Sequence, residues 1–320
     1  MAPNVRRPAR LSHRVSLSDL EILVAVTLHG SMAKAANQLG ISQPAISRAI
    51  AEMEAALGLR LLDRSRRGAL PTLYGSVFAQ HAAAMLDDLR QGMKEIEFLS
   101  DPTAGEIFVG APEPLTEAIL PNVIQKFAQD YPRVRVHIIP TSAGDFVELR
   151  ARKLDFQINR LLWDFASDDI AAEPLFNERI FVVVGARSPW LRRKNVKLAD
   201  LITEKWVVQN NAYDNVAYAF QTRRLPIPRA AIAAYSAFLR NHLTASGNFI
   251  AIVAAPQLMV LRNQGFKVKV LPIDLSDLTI KVAIFQLKKR TLSSVSRLFL
   301  KYIRAECQSA RFMKAMNAAA

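Results

Sequence analysis

The sequence predicts an α/β protein with an all-α winged helix-turn-helix domain at its N-terminus and a two-lobed α/β domain behind it. Three observations predict this. A chain of 320 residues exceeds one ordinary domain. Three short capped helical blocks occupy the first sixty residues, two of them separated by a glycine-bearing turn. Beyond residue 105, short apolar strands alternate with helical stretches and return late in the chain.

Residues 1–14 read as a disordered basic tail, since chain ends usually fray. A winged helix-turn-helix domain follows over 15–72, with the helix-turn-helix itself at 32–51. The first helix starts near Leu17, from a capping box of Ser16 with Asp19 or of Ser18 with Glu21. Leu20, Leu23, Val24 and Thr27 form its expected buried face. Ser31 caps the second helix, Met32 to Leu39, and Gly40 stops it. Ser42 caps the third, where Pro44 is tolerated in the first turn.

The third helix carries the strongest signal. Ile46, Ile50, Met53 and Leu57 recur at spacings of four, three and four and form its core face. Gln43, Ser47 and Arg48 lie on another face of the N-terminal half. The carboxylates Glu52 and Glu54 fall in the C-terminal half. A helix that enters the major groove by its N-terminal end requires this polarity, because acids there would face phosphates. Glutamine bonds an adenine edge, serine adapts, and arginine reaches guanine or phosphate. Leu61 to Leu70 then has apolar ends flanking Arg64, Arg66 and Arg67, which suits a hairpin wing with a basic tip that contacts DNA backbone.

Residues 73–100 read as a linker helix. Phe78, Ala82, Met85, Leu89, Ile96 and Leu99 mark a heptad seam, with Gly92 its weak position, and a second copy of the helix is the simplest cover. Ser100 to Gly105 reads as a hinge. Over 101–310 the expected strands are Ile107–Ala111, Val134–Ile139, Phe156–Ile158, Ile180–Val184, Trp206–Val208, Ile232–Tyr235, Ile250–Ala254, Val268–Leu271 and Ile280–Phe285. Leu115–Asp130, Asp145–Lys153 and Ser293–Cys307 are expected helices. Alternation of this kind implies parallel sheets and two lobes with a ligand cleft between them.

These residues resemble the LysR-type transcriptional regulators nearly end to end. The resemblance rests on Ala35-Ala36, Leu39, the run Ile41-Ser42-Gln43-Pro44-Ala45-Ile46-Ser47, Ile50, Glu54, Leu57-Gly58, Leu61, Arg64, Arg67, Thr72 and Gly75. Met53, Leu62 and Pro71 depart from the pattern by apolar swaps. More loosely, Gly105-Glu106-Ile107, Leu120-Pro121, Tyr131-Pro132, Leu154-Asp155 and Gly247 to Ile252 with Pro256 resemble the family's effector domain. Gln157, Asn159, Asn248 and Phe249 depart there. The resemblance implies a periplasmic-binding-protein-like effector domain, a small-molecule coinducer in its cleft, and a homodimer that usually assembles into a homotetramer. The expected DNA-binding residues are Ser31, Lys34, Ser42, Gln43, Pro44, Ala45, Ser47, Arg48, Arg64, Arg66 and Arg67, on a double-stranded operator. Strand ends place Glu113, Thr116, Thr141, Ser142, Asn159, Arg160, Gln209, Asn211 and Phe249 at the cleft as expected ligand-binding residues. Arg160 and the hydroxyls suit an anionic or hydroxylated ligand.

Composition bounds the rivals. With 42 Lys and Arg against 28 Asp and Glu, the net charge of +14 favours an anionic partner such as nucleic acid. The five histidines, His13, His29, His81, His137 and His242, show no metal-ligand spacing, and no phosphate loop or nucleophile elbow appears, so neither an enzyme, a metal nor a cofactor is expected. The single cysteine, Cys307, has no partner for a redox pair and suits a reducing compartment. No stretch reads as a signal peptide or a membrane span, so the expected location is the cytoplasm. A solute-binding protein of the periplasmic-binding-protein fold, secreted or cytoplasmic, is the competing reading. The added helix-turn-helix argues against it.

Overall fold

A computed structural model describes residues 15–65, 68–161, 165–209, 215–234 and 236–318. The basic tail, and with it the expectation of disorder there, lies outside these residues. The chain separates into two compact units, Met1–Lys94 and Glu95–Ala320.

In the first unit, α1 (Leu17–His29), α2 (Met32–Leu39) and α3 (Gln43–Leu57) pack around a common core. The capping box is the Ser16 one: Asp19 N donates to Ser16 Oγ at 3.2 Å, and Ser16 N donates back to Asp19 Oδ2 at 2.8 Å. Gly40 ends α2 at φ 67, a left-handed conformation that a side chain would strain. Ile46, Ile50 and Met53 are fully buried and Leu57 packs partly against them, as their spacing implies. The buried arc of α1 differs from expectation. Ile22, Leu23, Ala25 and Val26 enter the core, Leu20 is buried, and Val24 and Thr27 are only half-buried. The helix is flanked by α2, α3 and the second wing strand, so its buried arc is wider and turned.

The wing is β1 (Leu62–Ser65) paired antiparallel with β2 (Gly68–Pro71), from Leu62 opposite Pro71 to Ser65 opposite Gly68. Glu54 anchors its base: Oε1 accepts from Leu61 N at 2.7 Å and Leu62 N at 3.1 Å. Ala69 N donates to Gly30 O at 2.9 Å, tying the other strand to the α1–α2 turn. Helix α4 (Leu73–Ser100) leaves the wing so closely that a Cβ on Gly75 would sit 1.9 Å from Leu61 O. Gly75→Ala therefore forces backbone apart and is expected to cost the first domain about 1–3 kcal/mol, the range for overpacking. Calorimetric melting of the full chain checks this, and an unshifted first-domain transition would refute the close packing.

At ~1.5 Å per residue, the 28 residues of α4 span about 42 Å. Its predicted seam divides. Ala82 is buried and Phe78 packs against the first unit's own core. Met85, Leu89, Ile96 and Leu99 are 56%, 48%, 66% and 73% exposed in the single chain.

The last turns of α4 belong with the second unit. Glu95 caps α10 (Ser294–Gln308), accepting from Ser294 N at 2.8 Å and Ser294 Oγ at 2.5 Å, which holds its carboxyl below the usual range. Phe98 packs on the same unit's core. The unit also runs past residue 310, through α11 (Ala310–Ala318), which buries Phe312 and Met316.

The sheets are mixed rather than parallel. In the first lobe β3 (Ala104–Ala111) pairs parallel with β4 (Arg133–Pro140) and β5 (Phe156–Leu161). The long β6 (Ile170–Gly185) and β11 (Thr279–Leu287) run antiparallel, because they carry the chain between lobes. Residues 170–179 of β6 pair with β11, and residues 180–184 pair with β9 (Ile250–Ala254) in the second lobe. There β7 (Trp206–Gln209) joins β9 and β8 (Ala230–Ala234) in parallel, and β10 (Val268–Val270) pairs antiparallel with β6.

The apolar run Ile180–Val184 is buried on both faces, with Phe181 and Val183 in one core and Ile180, Val182 and Val184 in another. The first half of β6 escaped the strand reading because Glu173, Pro174, Asn177 and Glu178 interrupt it. The register shifts opposite Pro174, where a bulge tolerates the missing N–H. The expected helix 145–153 is a single turn, α6 (Val147–Arg150). Helices α5 (Glu113–Asp130), α7 (Asn215–Thr222), α8 (Ala237–Ala245) and α9 (Ala255–Asn263) complete the layers, the first with Pro121 inside it.

Candidate nucleic-acid interface and ligand cleft

On α3, Ser42 Oγ accepts from Ala45 N at 3.3 Å and starts the helix, with Pro44 in its first turn. That cap leaves Gln43, Pro44, Ala45 and Arg48 exposed and Ser47 half-buried at one end of the helix. Ser31 Oγ accepts from Lys34 N at 3.4 Å, with Lys34 exposed at the start of α2. The acids keep clear of this end: Glu52 is exposed farther along, and Glu54 turns to the wing base. Arg64 lies on β1 opposite Ala69. Arg66 and Arg67 fall outside the described residues, between the wing's strand ends.

The second unit holds a polar cleft where its lobes meet. Arg160 comes from β5 of the first lobe. From the second come Gln209 of β7, Arg240, Asn241 and Thr244 of α8, and Gln257 of α9, with Asn215 and stretches of β7 and β9 completing the wall. Arg160, Arg240, Asn241, Thr244 and Gln257 are all buried. Gln257 Nε2 donates to Asn241 Oδ1 at 3.3 Å, Thr244 Oγ1 to Arg240 O at 2.9 Å, and Arg240 Nη1 to Ala234 O at 2.7 Å. These bonds fix the polar groups in place.

Behind the cleft, Arg160 Nε donates to Glu178 Oε1. The two residues stand on β5 and β6 with β11 between them, Arg160 opposite Val282 and Glu178 opposite Ile280. Glu178 is fully buried and sits where β6 passes from one sheet to the other. Burial pushes its carboxyl above the usual range, and Arg160 opposes that rise.

Of the expected ligand residues, Arg160 and Gln209 line this cleft. Glu113 instead joins the lobes: its Oε2 accepts from Ala237 N at 3.1 Å, at the start of α8. Asn159 is fully buried, and its amide donates to Ser142 O at 2.9 Å while accepting from Arg160 N at 2.8 Å. Its neighbour Gln157 donates to Asp145 O, so the polar departures in this strand pin the 142–145 loop. Thr116 lies in the first turn of α5, and Thr141 buries a hydroxyl that has no partner among the described residues. Phe249 precedes β9, half-buried and off the cleft wall. Asn211 lies outside the described residues.

The sequence reading missed Arg240, Asn241, Thr244 and Gln257. A signal existed: Arg240 and Thr244 share a face at i, i+4, and Gln257 follows the carboxyl end of β9, where ligands gather. Cys307 lies in the first lobe's core, where burial and then Glu306 push its thiol up to about 12. Such a thiol carries almost no thiolate, the reactive form.

Comparison with known proteins adds an independent line. Residues 17–76 match the family model for the bacterial regulatory helix-turn-helix protein, lysR family, and residues 100–308 match the LysR substrate binding domain. The chain is 27% identical to the HTH-type transcriptional regulator GbpR of Azospirillum brasilense, over 95% of this chain and 91% of that protein. Full-length OxyR from Pseudomonas aeruginosa superposes with a TM-score of 0.64 at 19% identity, covering 94% of this chain and 97% of that one. Full-length CbnR, solved with its target DNA, superposes at 0.52 with 23% identity, covering 92% of this chain and 100% of that one.

Proposed function

Because this chain belongs to the LysR family of transcriptional regulators, with a helix-turn-helix DNA-binding domain and a substrate-binding domain, we propose that it reads a paired operator as a homo-oligomer under the control of a small molecule held between its two lobes. It acts by binding, without catalysis, metal or resident cofactor, in the cytoplasm where its DNA lies. The relatives it matches are themselves transcriptional regulators, and among the described residues no helix is long and apolar enough to cross a membrane.

The observation that carries the DNA reading is the end of α3. Gln43, Ala45 and Arg48 stand exposed there, carboxylate-free, with Glu54 drawn away to brace the wing. CbnR, of the same fold, has been solved on its target DNA. The net charge of +14 supplies the sequence-independent attraction to phosphates. In this reading Gln43 and Ser47 face base edges, and the wing arginines Arg64, Arg66 and Arg67 hold backbone.

Gln43→Ala is expected to weaken binding to an operator selected from a random-sequence pool by about 1–3 kcal/mol, roughly five- to 150-fold. Binding to unselected DNA should barely change. Fluorescence anisotropy on both DNAs checks it, and equal losses would remove the base-reading role. Arg66→Ala should instead weaken both and flatten the salt dependence.

The small-molecule reading rests on the cleft, since Cys307 offers no reactive thiol to carry a redox signal. A ligand changes the conformational balance only if it binds one arrangement of the lobes better than another. The cleft takes its walls from both lobes, so a ligand held there would touch both and would sense how they are arranged.

A further inference from the structure

The positive charge of the Glu95–Ala320 unit is concentrated in its second lobe. Residues 180–278, which form that lobe, carry 13 Lys and Arg against 5 Asp and Glu, whereas the rest of the unit carries 17 against 16. The densest stretch is the loop that follows β6. No acid occurs from Arg179 to Ala199, a span that holds Arg187, Arg192, Arg193, Lys194 and Lys197. The fold turns these five outward. Trp190, Val196 and Leu198 are buried in the second lobe's core, which leaves Leu191 to Asn195 exposed between them. A 3-10 turn, Pro189–Arg192, is capped by Ser188, whose Oγ accepts from Trp190 N at 3.4 Å. The Arg193 guanidinium lies over the Trp190 ring, 4.4 Å from its centre. Lys267 joins the face beside Arg187, because its carbonyl accepts from Ala186 N at 2.8 Å. All six cations are exposed, and none has an ion-pair partner among the described residues. Three of the lobe's acids are turned to other groups: Asp200 accepts from Lys197 N, Asp274 from Ser276 N, and Asp277 pairs with Arg223.

We propose that this basic face of the second lobe binds the phosphate backbone of double-stranded DNA, as a contact separate from the helix-turn-helix. Exposed cations without partners give up no ion pair when they meet an anion, and each one that reaches a phosphate releases a counterion. DNA carries one negative charge per ~1.7 Å of helix axis, so a row of arginines and lysines meets it by charge alone. An acidic protein segment is the rival occupant. Protein interfaces are centred on apolar anchors, and the apolar side chains of this loop, Trp190, Val196 and Leu198, are spent inside the lobe. DNA is moreover the partner that the first domain already engages. Once that domain has bound, the duplex stands at high effective concentration for every other part of the oligomer. Contacts to phosphate add affinity without sequence information, so this face strengthens binding and leaves the choice of operator to α3.

The test uses the full-length protein and compares two variants that lose the same charge. One is Arg187→Gln with Arg192→Gln and Lys194→Gln, on the face. The other is Lys281→Gln with Lys289→Gln and Lys301→Gln, equally exposed and without ion pairs among the described residues, on the first lobe. Affinity for the selected operator and for unselected duplex is measured by fluorescence anisotropy over a range of salt concentrations. At ~0.9 per phosphate contact, the face variant should flatten the slope of log affinity against log salt by about two to three. The first-lobe variant should leave it unchanged. The ratio of selected to unselected affinity should stay that of the parent in both, since phosphates carry no sequence. A second measurement uses the parent chain alone: limited acetylation read by mass spectrometry, with and without operator. Lys194, Lys197 and Lys267 should be protected by DNA, and Lys281, Lys289 and Lys301 should not.

Equal flattening by the two variants would reduce the effect to net charge and overturn the proposal. So would a parent-like slope in the face variant, or equal labelling of Lys194, Lys197 and Lys267 with and without DNA. Poly-glutamate serves as the probe for the rival. If the parent binds it, the face variant does not, and the DNA slope is unmoved, the face belongs to an acidic protein and not to DNA. Should the face variant fail to fold, the acetylation of the parent chain decides the matter by itself.

Discussion

Arg160→Ala is expected to destabilise the ligand-binding domain by about 3–5 kcal/mol, the cost of leaving one member of a buried ion pair without the other. Glu178 has no exposed surface, and Arg160 Nε is the donor to its Oε1. With the guanidinium gone, only burial acts on the carboxyl, and burial raises its pKa. An acid whose folded pKa lies above its unfolded value binds more protons in the folded state, so stability falls as pH rises through the interval between them. The variant should therefore be less impaired near about pH 5 than near about pH 8.

All three tryptophans, Trp163, Trp190 and Trp206, lie in the Glu95–Ala320 unit, so urea unfolding followed by tryptophan fluorescence reports on this unit alone. Replacing both partners, Arg160→Met with Glu178→Leu, should restore most of the loss, because no charge is then left buried. A single variant as stable as the parent at both pH values would show that the pair does not hold the junction of the two sheets.

Met85→Lys combined with Leu89→Lys is expected to dissociate the oligomer. In the single chain these side chains are 56% and 48% exposed, so the change leaves the packing of each domain untouched. In a seam between two copies of α4 it would bury four unpaired ammonium groups, which is costly in apolar surroundings. Sedimentation should show the mass fall to that of one chain. Affinity for a paired operator should fall with it by about a hundredfold or more, since two linked reading heads gain about 10²–10⁴ over one. A parent-like mass would mean that the seam is covered in some other way. Phe78 is not part of this test, because the first domain's own core already holds it.

What the sequence by itself determined is local. Ser16, Ser31 and Ser42 start three helices, and Gly30, Gly40 and Gly58 stop them, through bonds and backbone angles that reach only three or four residues. The spacing of Ile46, Ile50 and Met53 picked out the core face of α3, and with it the face that Gln43 and Arg48 expose. The end of α3 proposed to read bases was legible because Gln43, Ser47 and Arg48 all lie on one helix.

The tertiary structure decided everything that depends on distant partners. Glu54 reads as a helix-surface acid until Leu61 and Leu62 return their amides to it. Residues 170–179 read as no strand, because what makes them one is β11, more than a hundred residues later. The cleft brings Arg160 together with Arg240 and Gln257 only once β6 has crossed between the sheets and α8 and α9 have packed over the second lobe. Periodicity records which face of an element is apolar. It holds no record of which element will face it, because that choice is made by strand pairing and packing across the whole domain.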